Sequence, residues 1–237
     1  MKGVSIIETV ITFPVAITTF FQTKGTTLKI EKGGQLFQEG SLADQVYLIK
    51  IGTMQISKET ESGKELAIRI CGKQTLIGET TIFCCSTFHS TSAKALTYAE
   101  LYALSREAFE SYLQGEPTMM TDYLKWLQIE HIKDQSRLRD LVLHGKKGAL
   151  YSTLIRLANT YGEFTSPNEV LIRLALTNTE IANLCATSRE MINRMLSDLR
   201  KQQIISIEKG LITIHDFTYL KRVIECDNCP LAVCRID

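Results

Sequence analysis

Thr177-Asn178-Thr179-Glu180-Ile181-Ala182-Asn183-Leu184, then Cys185-Ala186-Thr187, then Ser188-Arg189-Glu190-Met191-Ile192-Asn193-Arg194-Met195-Leu196 is the stretch that decides the fold. Thr177 and Glu180 have the spacing of a capping box, in which the hydroxyl accepts from the third helical N–H and the carboxylate reaches back to the cap. Ile181, Leu184 and Cys185 then line the inner face of a short helix. Thr187-Ser188-Arg189-Glu190 reads as a second capping box, and Ile192, Met195, Leu196 and Leu199 line the inner face of the helix it opens. Two short helices joined so tightly predict a helix-turn-helix. An ordinary helical hairpin would leave unexplained why the second helix exposes Ser188, Arg189, Glu190, Asn193 and Arg194. Arginine carries the fork that matches the O6/N7 edge of guanine, and glutamate accepts from the cytosine amine. These five are therefore the candidate base-reading residues.

Downstream, Ile204–Glu208 and Leu211–His215 flank Lys209-Gly210, which predicts a β-hairpin wing placed to touch phosphate. Upstream lie a helical stretch, Ala149–Tyr161, and a polar loop, Glu163–Glu169. Before those, no glycine or proline interrupts the chain between Pro117 and Gly145. There Met120, Leu124, Leu127, His131, Asp134, Leu138 and Leu141 follow a 3-4 spacing. That predicts a long helix with one apolar stripe, which needs a partner. Its own β-domain is one candidate; the length of the stripe favours self-pairing as a homodimer.

From Leu28 to Leu104 short alternating runs such as Met54-Gln55-Ile56-Ser57 and Leu66-Ala67-Ile68-Arg69-Ile70 are punctuated by glycine, as in an antiparallel roll or sandwich. The expected fold is α+β. An N-terminal jelly-roll-type β-roll spans 1–114, a dimerisation helix 115–144, a winged helix-turn-helix 145–222 and a cysteine-bearing tail 223–237.

The 237 residues suffice for two cored domains, and nothing approaches the length of a membrane span. The apolar N-terminal stretch, Met1–Phe21, is broken by Glu8 and Pro14 and lacks the basic start and cleavage site of a signal peptide. A cytoplasmic protein with reduced thiols is expected. Net charge is only +1, but residues 144–222 hold eleven Lys/Arg against seven Asp/Glu, whereas 1–114 hold eleven of each. The basic surplus falls where phosphate contact is expected. No nucleophile–base pair or phosphate-binding glycine loop is apparent, so no enzymatic activity is expected.

Cys226, Cys229 and Cys234 form a C-x₂-C-x₄-C motif. So short a tail builds no apolar core around three thiols, and disulfide pairing would leave one over. The spacing suits zinc or an iron–sulfur cluster. Cys71, Cys84, Cys85 and Cys185 lack metal-type spacing and read as buried structural thiols.

The order of roll, long helix and winged helix, with Thr179-Glu180-Ile181-Ala182-Asn183-Leu184 followed by Ser188-Arg189-Glu190-Met191-Ile192-Asn193-Arg194, resembles the Crp/Fnr superfamily of bacterial transcription regulators over nearly the whole chain. The Ser-Arg-Glu-x-x-x-Arg spacing is similar to members that read TGTGA half-sites. The resemblance makes Arg189, Glu190 and Arg194 the base-contacting residues; Asn193 stands where a small residue is common. It further implies a palindromic promoter site as ligand and RNA polymerase as partner. Gly78-Glu79 matches the pair that meets ribose in the members that bind cyclic AMP. The Arg-Ser pair that takes the cyclic phosphate appears as Thr91-Ser92. A buried phosphate would lack its cation, so no cyclic nucleotide is expected and Glu79 is expected to cap structure in the roll.

The C-terminal C-x₂-C-x₄-C behind such a domain resembles the Bacillus type of Fnr, which implies a [4Fe-4S] oxygen sensor activating genes of anaerobic respiration and fermentation. The same resemblance implies an aspartate near the end of the long helix as fourth ligand, a place matched by Asp140. The residues alone would make Asp140 a solvated carboxylate paired to Arg137 or Lys133, with His144, Asp227 and Asp237 as competing ligands. The alternative is a Crp-like regulator with a structural zinc tail and a small-molecule sensor in its roll.

Overall fold

The computed structural model describes residues 13–226 and 229–237. The expectation for the N-terminal stretch therefore lies mostly, and that for Asp227 wholly, outside the described residues. The chain runs α1 (Val15–Lys24), β1 (Thr26–Ile30), β2 (Gln35–Phe37), β3 (Gln45–Ile51), β4 (Met54–Glu59), β5 (Glu65–Cys71) and β6 (Leu76–Ile77). A 3-10 turn (Glu79–Thr81) leads to β7 (Ser92–Ala95), β8 (Ala99–Ser105) and α2 (Arg106–Gly115). Two antiparallel sheets, ordered β1-β8-β3-β6 and β2-β7-β4-β5, face each other across a core of Tyr47, Ile49, Met54, Ile56, Ile77 and Leu101. This is the expected roll.

Helix α3 runs from Pro117 to Tyr161, with Pro117 at its first turn, where its missing N–H costs nothing. The helix breaks at Gly145 (φ 58°, ψ −157°), a conformation that glycine tolerates and a side chain would strain. One face of its first half packs on the roll. Trp126 lies edge-on to Phe13, and Tyr123 edge-on to Phe109. The stripe foreseen for self-pairing is split: Leu124 and Leu138 are exposed, followed by Val142 and Leu143, whereas Met120 and Leu127 pack into the core beside the roll and Leu141 against that of the winged domain. Packing on its own β-domain, the alternative to self-pairing, is thus formed in part by residues of that stripe.

Beyond α3 come β9 (Gly162–Ser166), β10 (Glu169–Ile172), α4 (Asn178–Leu184), α5 (Arg189–Lys201), β11 (Ile205–Glu208), β12 (Leu211–Ile214) and α6 (Phe217–Val223). The stretch 163–169, expected as a polar loop, is instead most of a hairpin. β9 pairs with β10 at the edge of the sheet β11-β12-β10-β9, where Phe164 meets Phe217 edge-on and Val170 and Ile172 are buried. Its polar side chains face water, which is why they read as a loop. The wing turn is as expected: Lys209 (φ 50°) and Gly210 (φ 80°) form a two-residue connection whose twist suits the strands it joins.

Two expectations for cysteine and capping are corrected. Cys71 and Cys185 are buried, and burial pushes both thiols up to about 12. Cys84 and Cys85 are exposed, because they sit in the strandless loop that follows the left-handed Phe83. The cap of α5 is Ser188, whose hydroxyl accepts from Met191 N–H at 3.3 Å. Thr187 still belongs to the preceding turn, since its N–H donates to the Ala182 carbonyl after a left-handed Ala186. The first capping box is formed as expected: Thr177 accepts from Glu180 N–H, and Glu180 accepts from Thr177 N–H at 2.6 Å.

Candidate nucleic-acid interface and cysteine centre

The inner faces of α4 and α5 close on the core through Ile181, Ala182, Cys185, Ile192, Leu196 and Leu199. That burial turns Ser188, Arg189, Glu190, Asn193 and Arg194 outward, and all five are exposed. Asn178 on α4 donates to the Asn193 amide oxygen, and Arg194 reaches Met191 Sδ at 2.9 Å, so two of the five have their orientation set locally. The Glu190 carboxyl is held below its usual range by backbone and Ser188 hydrogen bonds at the start of α5, which keeps it an acceptor. Arg200 and Lys201 close the other end of the same helix. The face offers charged donors and acceptors on a rigid, exposed helix beside a wing.

The second site forms where α3 breaks. Past α6 the chain folds back: Cys226 N–H donates to the Lys221 carbonyl, and the N–H groups of Val233 and Cys234 both donate to the Pro230 carbonyl. Cys226 and Cys229 are half-buried and Cys234 is buried, all as free thiols packed against the core of the winged domain. The Cys234 thiol donates to Cys229. That bond, with Arg156 and Arg139 nearby, outweighs burial and holds the Cys229 thiol down at about 6. The same hydrogen bond and burial raise Cys234.

Asp140 stands beside this loop and opposes the lowering of Cys229. It is 3 % exposed, which corrects its reading as a solvated carboxylate paired to Arg137 or Lys133. Its Oδ1 accepts from Arg139 Nε and Nη2 at 3.0 and 2.7 Å, and its Oδ2 accepts from Ser152 and from Arg156 Nη2 at 2.9 Å. Burial alone would raise the carboxyl, yet the bonds from Ser152, Arg156 and Arg139 win and hold it below the usual carboxylate range. His144 is half-buried one turn on. Asp237 is taken up by a two-pronged pair with Arg235 at 2.8 Å on each oxygen.

The donor set fits a thiolate-held cluster: three free thiols on one loop, one inclined to ionise near neutral pH, beside guanidinium groups that offset anionic charge. Among the described residues no three His, Cys, Asp or Glu side chains stand at the spacing that holds a single metal ion. Asp140 becomes a ligand only by exchanging one of its present partners.

Sequence reasoning missed Arg156. Its guanidinium, on the second half of α3, is 3 % exposed and joins Asp140, Ser136, Ser152 and the Val233 carbonyl. The available signal was a lone arginine inside the apolar run Leu154-Ile155-Arg156-Leu157-Ala158. It also missed Arg69. A cavity of about 390 Å³ between the roll and α3 is lined by Glu79, Thr91 and Arg69 of the roll and by Glu130 and His131 of α3, among others. Arg69 pairs there with Glu79, and with Glu130 of α3 at 3.0 Å. Glu79 thus opens the 3-10 turn and also anchors a buried ion pair. A Ser206–His215–Glu169 chain, at 2.9 and 2.8 Å, is a nucleophile–base contact that the sequence did not reveal. Its His and Glu side chains are about 40 % exposed on the wing sheet, where the bonds tie β10 and β11 to the residue that follows β12.

A β-roll joined by a broken helix to a winged helix with an outward recognition helix defines a regulator of the DNA-binding class. Residues 27–116 match the family model of the cyclic nucleotide-binding domain, and residues 148–223 that of the Crp-like helix-turn-helix domain. The chain is 46 % identical over 213 residues to the anaerobic regulatory protein of Bacillus subtilis (strain 168), covering 90 % of this chain and 89 % of that one. It is 27 % identical to the CRP-like cAMP-activated global transcriptional regulator of Mycobacterium tuberculosis, covering 81 % and 84 %. Among solved structures, the c-di-GMP responsive global regulator CLP of Xanthomonas campestris shares the fold, with a TM-score of 0.74 at 19 % identity over 85 % of this chain and 99 % of that one. The chain belongs to the Crp/Fnr family of transcription regulators. Among the described residues no helix is long and apolar enough to cross a membrane.

Proposed function

We propose that this regulator is a cytoplasmic homodimer that responds to oxygen through a [4Fe-4S] cluster held by Cys226, Cys229 and Cys234, with Asp140 as fourth ligand. It binds a TGTGA-like palindrome when the cluster is intact and, with RNA polymerase, activates genes of anaerobic metabolism. The observation that carries this reading is a loop of free thiols, Cys226, Cys229 and Cys234, that lies near the break of α3, with buried Asp140 close enough to Cys229 to act on its thiol. The likeness to an anaerobic regulatory protein supports the same reading.

When bound, the cluster supplies an oxygen-labile link between the tail and the end of the long helix. The chain's own residues do the rest. Asp140 stands just before the Gly145 break, while the cysteines follow α6 of the winged domain, so the two ends of the link belong to different bodies. Arg156 and Ser152 hold Asp140 in place from the far side of the break. The stripe through Leu124 and Leu138 pairs two copies and sets two recognition helices about one duplex turn apart.

Anaerobic purification with iron, sulfide and zinc assays, followed by promoter binding before and after air, tests the reading. Iron and sulfide near four per protomer, with site-specific binding lost in air, is expected. Stoichiometric zinc without sulfide, or binding indifferent to air, would overturn it.

A further inference from the structure

Beyond the cysteines, the segment 233–237 is held in an unusual way. Five consecutive carbonyls each accept a hydrogen bond from a distant donor. Val233 O accepts from Arg156 Nη1 at 3.2 Å, Cys234 O from Asn159 Nδ2 at 2.8 Å, and Arg235 O from Arg137 Nη2 at 3.3 Å. Ile236 O accepts from Arg137 Nη2 at 3.0 Å and from the Ile70 N–H at 3.2 Å; Asp237 O accepts from Lys133 Nζ at 2.8 Å. The Ile236 N–H donates to Thr160 Oγ1, and the Ile236 side chain is 2 % exposed against Ile70 and the core of the winged domain. These donors come from both halves of α3 and from β5 of the roll.

The contact also continues into the roll. Lys133 pairs with Glu130 at 2.7 Å, Glu130 with Arg69, and Arg69 with Glu79 at the head of the 3-10 turn, all four side chains about nine-tenths buried. Arg137 further donates to the Ile68 carbonyl of β5 at 3.3 Å.

We infer that residues 233–237 are an intramolecular docking peptide, seated between β5 and both halves of α3, that couples the cysteine loop to the β-roll. The inference rests on the reading of that loop as the sensing element. Cys234 carries both the last thiol of the motif and one of the docked carbonyls, so no slack separates the two. A displacement at the thiol passes directly to Arg137 and to the Ile70 amide. With the segment undocked, the cysteine loop hangs from α6 alone and reports only to its own domain. Main-chain hydrogen bonds give the seat its hold, and the buried Ile236 side chain gives it its choice of residue.

The test compares full-length wild type with Ile236→Asp, which puts a charge in the seat, and Arg137→Met, which keeps the stem and removes the donors. In the cluster-free proteins the Ile70 amide is expected to exchange about tenfold faster in both variants, as loss of its acceptor dictates. After anaerobic reconstitution, iron and sulfide per protomer stay at the wild-type level, while the ratio of promoter affinities between loaded and cluster-free protein falls about tenfold. Unchanged Ile70 exchange in both variants would show that the segment does not dock. Faster exchange with an unchanged affinity ratio would show that docking carries no signal, and loss of iron in both variants would reduce the segment to a ligand holder. Wild type that takes up no iron and sulfide sinks the oxygen-sensing reading instead, while the Ile70 exchange still decides the docking.

Discussion

Arg156 and Asp140 lie on opposite sides of the Gly145 break and meet there at 2.9 Å, the two side chains 3 % and 4 % exposed. The pair therefore splints the break in α3 from within. The Nη2 that meets Asp140 also donates to Ser136, and the remaining nitrogens of Arg156 donate to Ser152 and the Val233 carbonyl, so one guanidinium holds helix, hinge and cysteine loop in register.

Arg156→Ala removes the buried guanidinium partner of Asp140, leaves it to Arg139 and Ser152, and opens a cavity. A loss of up to about 3 kcal/mol, the low end for breaking a buried pair, is expected, read as a lower urea midpoint of the cluster-free protein. Arg156→Lys keeps the charge without the fork and should fall between that variant and wild type. A midpoint unmoved in Arg156→Ala would show that the joint does not depend on the pair.

The stripe of α3 gives the second prediction. Leu124 and Leu138 are exposed in the single chain, on a face distinct from the one that Tyr123 and Trp126 bury against the roll. Changing both leucines to Asp should produce monomers in sedimentation without loss of the roll's stability, because charges unpaired in an apolar seam cost several kcal/mol on association only. A persisting dimer would place the interface elsewhere.

On the recognition helix, Glu190→Ala and Arg194→Ala should each lose about 1–3 kcal/mol of discrimination at one base pair of a half-site. Binding measured across single-base variants of the site reads this directly. Equal weakening on every sequence would make the two residues phosphate contacts.

The helix-turn-helix and its wing were legible because their signals are local: a hydroxyl and carboxylate three residues apart, apolar positions at helical spacing, and Lys209-Gly210 between alternating runs. The hairpin of β9 and β10 was not, since β10 finds its other partner β12 some forty residues away and its outer side chains are polar. The second cap slipped by one residue because Thr187 completes the turn before it. Asp140 was matched from the resemblance, but its burial comes from Ser152 and Arg156, which only the tertiary fold brings to it. Cys84 and Cys85 differ from Cys71 and Cys185 in nothing that spacing records; the loop around Phe83 decides.

The last prediction separates the two roles that Asp140 would fill. Asp140→Ala confounds them, because it removes the proposed ligand and also strips Arg156 of its buried partner. Asp140→Asn keeps the shape and retains an acceptor for Ser152 and Arg156, while a neutral amide is a far poorer iron ligand than a carboxylate. The urea midpoint of the cluster-free Asp140→Asn protein should therefore sit between wild type and Asp140→Ala. After anaerobic reconstitution the same variant should hold less iron per protomer or lose it faster in air, and bind its promoter more weakly without oxygen. His144→Ala, reconstituted alongside, should behave as wild type, since its half-buried imidazole takes no part in the pairing of Asp140 with Arg139, Arg156 and Ser152. Wild-type iron content and air stability in Asp140→Asn, with loss in His144→Ala, would move the fourth ligand one turn along the helix. Normal cluster behaviour in both would leave Asp140 a splint for the joint and nothing more.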